Sequence, residues 1–263
     1  MSEGFTKLRE IVAQLRAPGG CPWDREQTHL SLLPGLLEEA YEVTGAVRAR
    51  DDNNLQEELG DLLLQVVMHA EIARDQGRFD LEAVVREVTE KLIRRHPHVF
   101  GASFVSDTGA VLKQWEAIKR AEKADGEAHY LADLPFALPA LMRAQKAQSK
   151  AARVNFDWPK VSDVIAKLDE EVAETKTALA SGNADAVADE IGDLLFAAVN
   201  LARKARLDAE SLLQRATDKF VRRFNAVETE LRGRGKKLGE ADLDELDEVW
   251  NAIKAEQRER EIA

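Results

Sequence analysis

Cysteine occurs once in the 263 residues, as Cys21, which excludes an intramolecular disulfide framework and fits a reducing compartment. No apolar run approaches the length of a membrane-spanning helix, and the opening stretch MSEGFTKLREIVAQLR is an amphipathic helix pattern with acids, unlike a secretory signal. A cytoplasmic protein with no membrane partner is the expectation. Positive charge is also short: 37 Lys and Arg against 48 Asp and Glu leave a net charge of -11, which opposes attraction to nucleic acid or an anionic membrane. Any phosphate ligand must therefore be met by local cations. Proline is missing after Pro159, so helices of the second half can run without interruption except at loops. There is no strand-like alternation, and no G-x-x-x-x-G-K-[ST] stretch that would make a P-loop.

What the chain has in quantity is helix formers, within a composition of 44% hydrophobic and 32% charged residues that suits a globular protein. It also repeats itself. LLEEAYEVTGAV from Leu36 returns as LDEEVAETKTAL from Leu168, and QEELGDLLLQVV from Gln56 as ADEIGDLLFAAV from Ala188, both at an offset of 132. Further on, KLIRRH at 91–96 returns as KFVRRF at 219–224, and QWEAIK at 114–119 as VWNAIK at 249–254. Each half opens with an amphipathic helix (5–16, then 138–153) and an aromatic turn, CPWD or NFDWP. The expected fold is all-α: two copies of one helical domain, over 1–122 and 136–263, with 123–135 as linker.

Within each half the acids fall in a pattern. Glu190 and Asp193 sit beside Leu194, Leu195 and Phe196, where an unpartnered carboxylate costs several kcal/mol to desolvate. Glu171 and Glu174 are three apart on the preceding helix, as Glu190 and Asp193 are on theirs, so each pair shares a face. Glu174 and Glu190 are equidistant from Gly182, and so are Glu171 and Asp193. In an antiparallel hairpin turning at Gly182, the four carboxylates converge at two adjacent levels. The first half obeys the same rule about position 50, with Glu42 opposite Glu58 and Glu39 opposite Asp61. Like charges gathered this way raise one another's pKa unless a cation joins them. Oxygen-only ligands suit Mg²⁺ first and Mn²⁺ second, and neither hairpin has the Glu-x-x-His of a ferritin-like di-iron site. A solvated acidic stripe paired with Lys and Arg is the competing reading.

Mg²⁺ held by carboxylates leaves positions for substrate phosphates, which in turn need cations. Lys167 lies one turn before Glu171, either to reach a phosphate or to form an i,i+4 ion pair. Lys219, Arg222 and Arg223 make one basic face, which an ordinary solvated helix face also explains. Trp250 could stack on a base, but its stripe with Leu246, Val249 and Ile253 reads better as core. His96 and His98 have no second ligand pair for zinc.

Taken together, EEAYE...EELGDLL, DEEVAE...DEIGDLLFAAVNLAR, RRHPHVF, GGCPWDREQT and LPALMRAQKAQ...VNFDW resemble the MazG family of all-α nucleoside triphosphate pyrophosphohydrolases, in its two-domain form and over nearly the whole chain. The resemblance implies conversion of an NTP or dNTP to the monophosphate and pyrophosphate, in nucleotide-pool control or house-cleaning. It implies a homodimer in which hairpins pack into four-helix-bundle-like arrangements. It carries Mg²⁺ to Glu171, Glu174, Glu190 and Asp193, phosphates to Lys167, Lys219, Arg222 and Arg223, and the nucleotide to the vicinity of Trp250. Glu174 or Glu190 would orient or deprotonate the attacking water. The first half keeps Glu39, Glu42, Glu58 and Asp61 as a second, weaker metal site, with Lys91, Arg94, Arg95 and Trp115, but has Gly35 where Lys167 stands. It is expected to hydrolyse poorly. Two alternatives are a hydrolase for a single nucleotide, such as all-α dUTP or phosphoribosyl-ATP hydrolases, and a non-enzymatic helical dimer.

Overall fold

A computed structural model describes residues 3–104, 107–122 and 129–262, and among these every regular element is a helix. The chain divides into two compact units, Met1–Ala124 and Asp125–Ala263.

The first unit contains α1 (Glu3–Arg16), α2 (Pro22–Glu26), α3 (Leu33–Ala49), α4 (Asp52–Asp75), α5 (Leu81–Arg95), α6 (Pro97–Phe100) and α7 (Thr108–Ala121). Its core joins Val12 of α1, Val67, Met68, Ala70 and Ile72 of α4, and Leu81 of α5. Toward the C-terminal end of α4 these residues form a dry stretch, in which Glu71 is also buried and pairs with Arg74, while Glu58 and Asp61 stand nearer its N-terminal end. The CPWD stretch is a short helix with Pro22 at its first position, where the missing N–H costs nothing.

The second unit contains α8 (Ala140–Ala152), α9 (Val161–Ser181), α10 (Ala184–Lys204), α11 (Ala209–Gly233) and α12 (Leu243–Ile262). Two apolar clusters hold it. One gathers Val199 and Ala202 of α10, Ala209 of α11, and Leu141 and Ala144 of α8. The other gathers Val227 and Leu231 of α11 with Val249, Leu246, Trp250 and Ile253 of α12. Residues 123–128 lie outside the described part of the stretch expected as linker. The remainder is attached to the second unit, with Asp133 paired to Lys150 and the Tyr130 hydroxyl donating to the Lys150 carbonyl at 3.2 Å.

In both units the acidic helices form the hairpin with the most extensive packing. α9 ends at Gly182 (φ 69°), and Asn183 then caps α10 by accepting from the N–H groups of Asp185 and Ala186. α3 ends at Arg50 (φ 56°), and Asp51 caps α4 by accepting from Asn53 and Asn54. So short a connection forces antiparallel neighbours, and that sets the height of every carboxylate.

Candidate metal and nucleotide site

α9 and α10 bring carboxylate oxygens of Glu171, Glu174 and Glu190 within 4.8 Å of one another. Glu171 is buried, Glu190 half-buried and Glu174 exposed. The Thr175 hydroxyl ties the helices at this level, donating to the Glu171 carbonyl at 2.7 Å and reaching the Glu190 carbonyl at 3.5 Å. Partial burial, then the charges of Glu174, Glu171 and Asp193, push the Glu190 carboxyl above its ordinary value of 4.5. Asp193 stands one turn along α10 and lines the adjoining cavity together with Glu171.

The first unit gathers Glu39, Glu58 and Asp61 within the same 4.8 Å. Burial, then Asp61 and Glu42, raise the Glu39 carboxyl, and burial, then Glu42, raise that of Glu58. Three of the four expected carboxylates gather in each unit, while Glu42 and Asp193 stand beside these groups as neighbouring charges. A hard divalent cation fits that donor set, since it satisfies all of them at once and removes the mutual repulsion.

Lys167 pairs through Nζ with Glu171 and Glu170, each at 2.9 Å, and these partners hold its ammonium well above the usual lysine range. It also lines the cavity, so both roles read from its spacing remain compatible with its position. The cavity has a volume of about 310 Å³. Its walls are largely apolar, with Val164 of α9, Phe196 and Ala197 of α10, and Phe156 and Trp158 of the NFDWP turn, plus the amides of Gln148 and Asn200. Its apolar and aromatic lining, with Lys167 on the same wall, suits an aromatic ligand group next to an anionic one.

That turn is fastened to α10. Arg203 grips the Asp157 carboxylate and donates from Nε to Asn200 Oδ1 at 2.9 Å, while Lys204 reaches Asp157 at 3.1 Å and also the Trp158 carbonyl. Asp157, Asn200 and Arg203 were not singled out in the sequence. A signal was present for Asn200 alone: Glu190, Asp193, Ala197, Asn200 and Lys204 follow one another at helical spacing along a single face of α10.

Lys219, Arg222, Arg223 and Trp250 do not line this cavity. Lys219 and Arg222 are exposed on α11. Trp250 packs into the α11–α12 cluster, its ring 5.5 Å from that of Phe220, which is the core stripe its spacing suggested. Arg223 lies over the Trp250 ring at 5.9 Å and donates to Gln257 Oε1 at 2.9 Å.

The matching positions of the first unit differ where the cavity is concerned. Lys167, Ala197, Asn200 and Arg203 correspond to Gly35, Gln65, Met68 and Glu71. A Cβ at Gly35 would meet the Gln65 amide nitrogen at 3.1 Å, so Gln65 stands where a longer residue 35 would need to pass.

Comparison with known proteins yields matches over most of the chain. The MazG nucleotide pyrophosphohydrolase domain matches twice, at residues 27–100 and 160–228. A nucleoside triphosphate pyrophosphohydrolase/pyrophosphatase MazG of Thermotoga maritima is 45% identical over 250 residues, 95% of each chain. A nucleoside triphosphate pyrophosphohydrolase of Escherichia coli is 44% identical over 255 residues, 95% of this chain and 97% of that one. One of Mycobacterium tuberculosis is 40% identical over 169 residues, 62% of this chain and 50% of that one.

Proposed function

The chain belongs to the MazG nucleotide pyrophosphohydrolase family, and from that premise we propose that residues 136–263 form its main catalytic domain, working with Mg²⁺ on Glu171, Glu174, Glu190 and Asp193. The protein is a nucleoside triphosphate pyrophosphohydrolase: it cleaves an NTP to the monophosphate and pyrophosphate. The observation that carries the assignment of the site is the convergence of three carboxylates within 4.8 Å, one of which, Glu171, lines a cavity together with Lys167 and Asp193.

Bound there, Mg²⁺ would supply neutralisation of the charge that builds on the triphosphate in the transition state. The protein's own groups do the rest. The apolar walls at Phe156, Trp158 and Phe196 take the base by contact area, which favours several bases over one. Lys167, placed on the cavity lining, exchanges its carboxylate partners for a phosphate oxygen. Glu174 or Glu190 holds the attacking water and takes its proton, both standing in the carboxylate group of the hairpin. Lys219, Arg222 and Arg223 supply the remaining phosphate contacts, and Trp250 stays near the nucleotide by carrying Arg223 on its ring face. Mn²⁺ is the substitute that the same oxygen donors accept.

A homodimer completes the picture. Large apolar side chains stand exposed along the hairpins, including Leu37, Leu59 and Leu63 in the first unit and Ile165, Ile191 and Leu195 in the second. A four-helix packing with a second copy covers them. No described helix is long and apolar enough to cross a membrane.

The test is Mg²⁺-dependent pyrophosphate release from a panel of NTPs and dNTPs. Asp193→Asn should lower turnover by about 100-fold or more, while Asp61→Asn should leave it within about twofold, with catalysis residing in the second unit. Equal losses would assign the chemistry to both units, and no loss in either would leave the carboxylates as structure alone.

A further inference from the structure

Outside the cavity the two units carry a second matching constellation. The basic segment 91–95 on α5 corresponds to 219–223 on α11, and α7 and α12 each bring a tryptophan against its last arginine. Arg95 lies 5.5 Å from the centre of the Trp115 ring, and Arg223 lies 5.9 Å from that of Trp250. Seven residues after each tryptophan the two halves part: the first has Glu122, the second Gln257.

In the first unit the Glu122 carboxylate is fully engaged. Oε1 accepts from Arg94 Nε at 2.6 Å, and Oε2 accepts from Arg95 Nη2 at 2.6 Å and Nε at 3.1 Å. These hydrogen bonds, from Arg95 first and Arg94 second, hold the carboxyl down to about 2, so it stays ionised throughout the neutral range. In the second unit Gln257 meets Arg223 with an amide oxygen at 2.9 Å and brings no charge. The same contrast recurs one turn earlier, where Lys91 pairs with Glu87 at 3.5 Å and the matching position, 215, is arginine. Of the five positions compared, two are acidic in the first half and none in the second, where four are basic.

A carboxylate forked across two guanidinium groups uses the donors that would meet a phosphate. Held in the same chain, it competes at an effective concentration of roughly millimolar or above. We propose that Glu122 is a built-in anion occupying the arginine pair of the first unit, and that the residue seven places after the tryptophan decides which half of the molecule is open to a triphosphate. This rests on the reading above that Arg222 and Arg223 contact phosphate.

The experiment uses the full chain, with binding of inorganic tripolyphosphate in Mg²⁺ followed by calorimetry and nucleotide hydrolysis followed by KM and kcat separately. Gln257→Glu should raise KM about tenfold, the loss of one charge-assisted phosphate contact, with kcat changed far less. An unchanged KM overturns the proposal. In a chain already carrying Arg222→Gln and Arg223→Gln, adding Glu122→Gln should tighten tripolyphosphate binding about tenfold, a gain that Arg95→Gln then removes. Absence of that gain, with thermal unfolding showing the fold intact, also overturns it. The parent Arg222→Gln, Arg223→Gln chain separates the two levels of the argument. If it binds tripolyphosphate as tightly as the native protein, the phosphate role of the pair is itself wrong, and the proposal falls with it for that identifiable reason.

Discussion

Asp157 sits in an irregular turn, yet it decides where two aromatic walls of the cavity stand. Burial pushes its carboxyl up, but hydrogen bonds from Arg203 and Lys204 outweigh that and hold it below its usual value of 3.8. A depressed carboxyl contributes stability that is present above the unfolded value and is lost as pH falls through the folded one. Asp157→Asn should therefore flatten the acid limb of a urea-stability profile below about pH 4, since the variant has no proton to take up there. With Phe156 and Trp158 released from α10, KM should rise several-fold while kcat moves less. An unaltered acid limb together with an unaltered KM would mean that the turn is held by other contacts. No pattern in the sequence singled out Arg203, because an arginine on a helix face is ordinarily solvated; its meaning lies in Asp157, 46 residues away.

The hairpins show how far an element can be read from residue order. Equal spacing of the acids placed the tips at positions 50 and 182, and these are the residues at which the backbone turns with positive φ. Only the second half uses glycine there. Arg50 holds φ 56° with a side chain present, a conformation that costs L-residues about 1–2 kcal/mol. Part of that is recovered because arginine has less unfolded-state freedom to lose than glycine. Arg50→Gly should raise the stability of the first unit by up to about 1 kcal/mol, and Gly182→Ala should lower that of the second by about 1 kcal/mol. Nothing lies within 4 Å of an added Cβ at Gly182, so backbone strain alone sets the effect. Chemical denaturation measures both, and a stability gain for Gly182→Ala would contradict the argument.

At the scale of the whole molecule, a net charge of -11 keeps copies apart in general while the hairpins expose leucine and isoleucine in particular. The proposed homodimer would therefore form through those apolar faces. Leu195, 57% exposed next to Asp193, belongs to such a face. Leu195→Glu should shift the mass measured by light scattering from dimer toward monomer, because a charge cannot be buried in the face-to-face packing without a partner. A native protein that already runs as a monomer would remove the premise.

By itself the sequence determined the all-helical class, the duplication, the position of both hairpin tips and, in each hairpin, three of the four acids expected to meet. All of these depend on periodicity and on distance along the chain, quantities that a hairpin converts directly into height. Only the tertiary structure decided what lies beside the carboxylates: a cavity of about 310 Å³ in the second unit, walled by a turn that Arg203 fastens from another helix. It alone also revealed that Glu122 closes on Arg94 and Arg95, while Gln257 leaves the corresponding pair without a carboxylate from that position. Such contacts join residues tens of positions apart on different helices, and only the packing angle of those helices says which side chains meet.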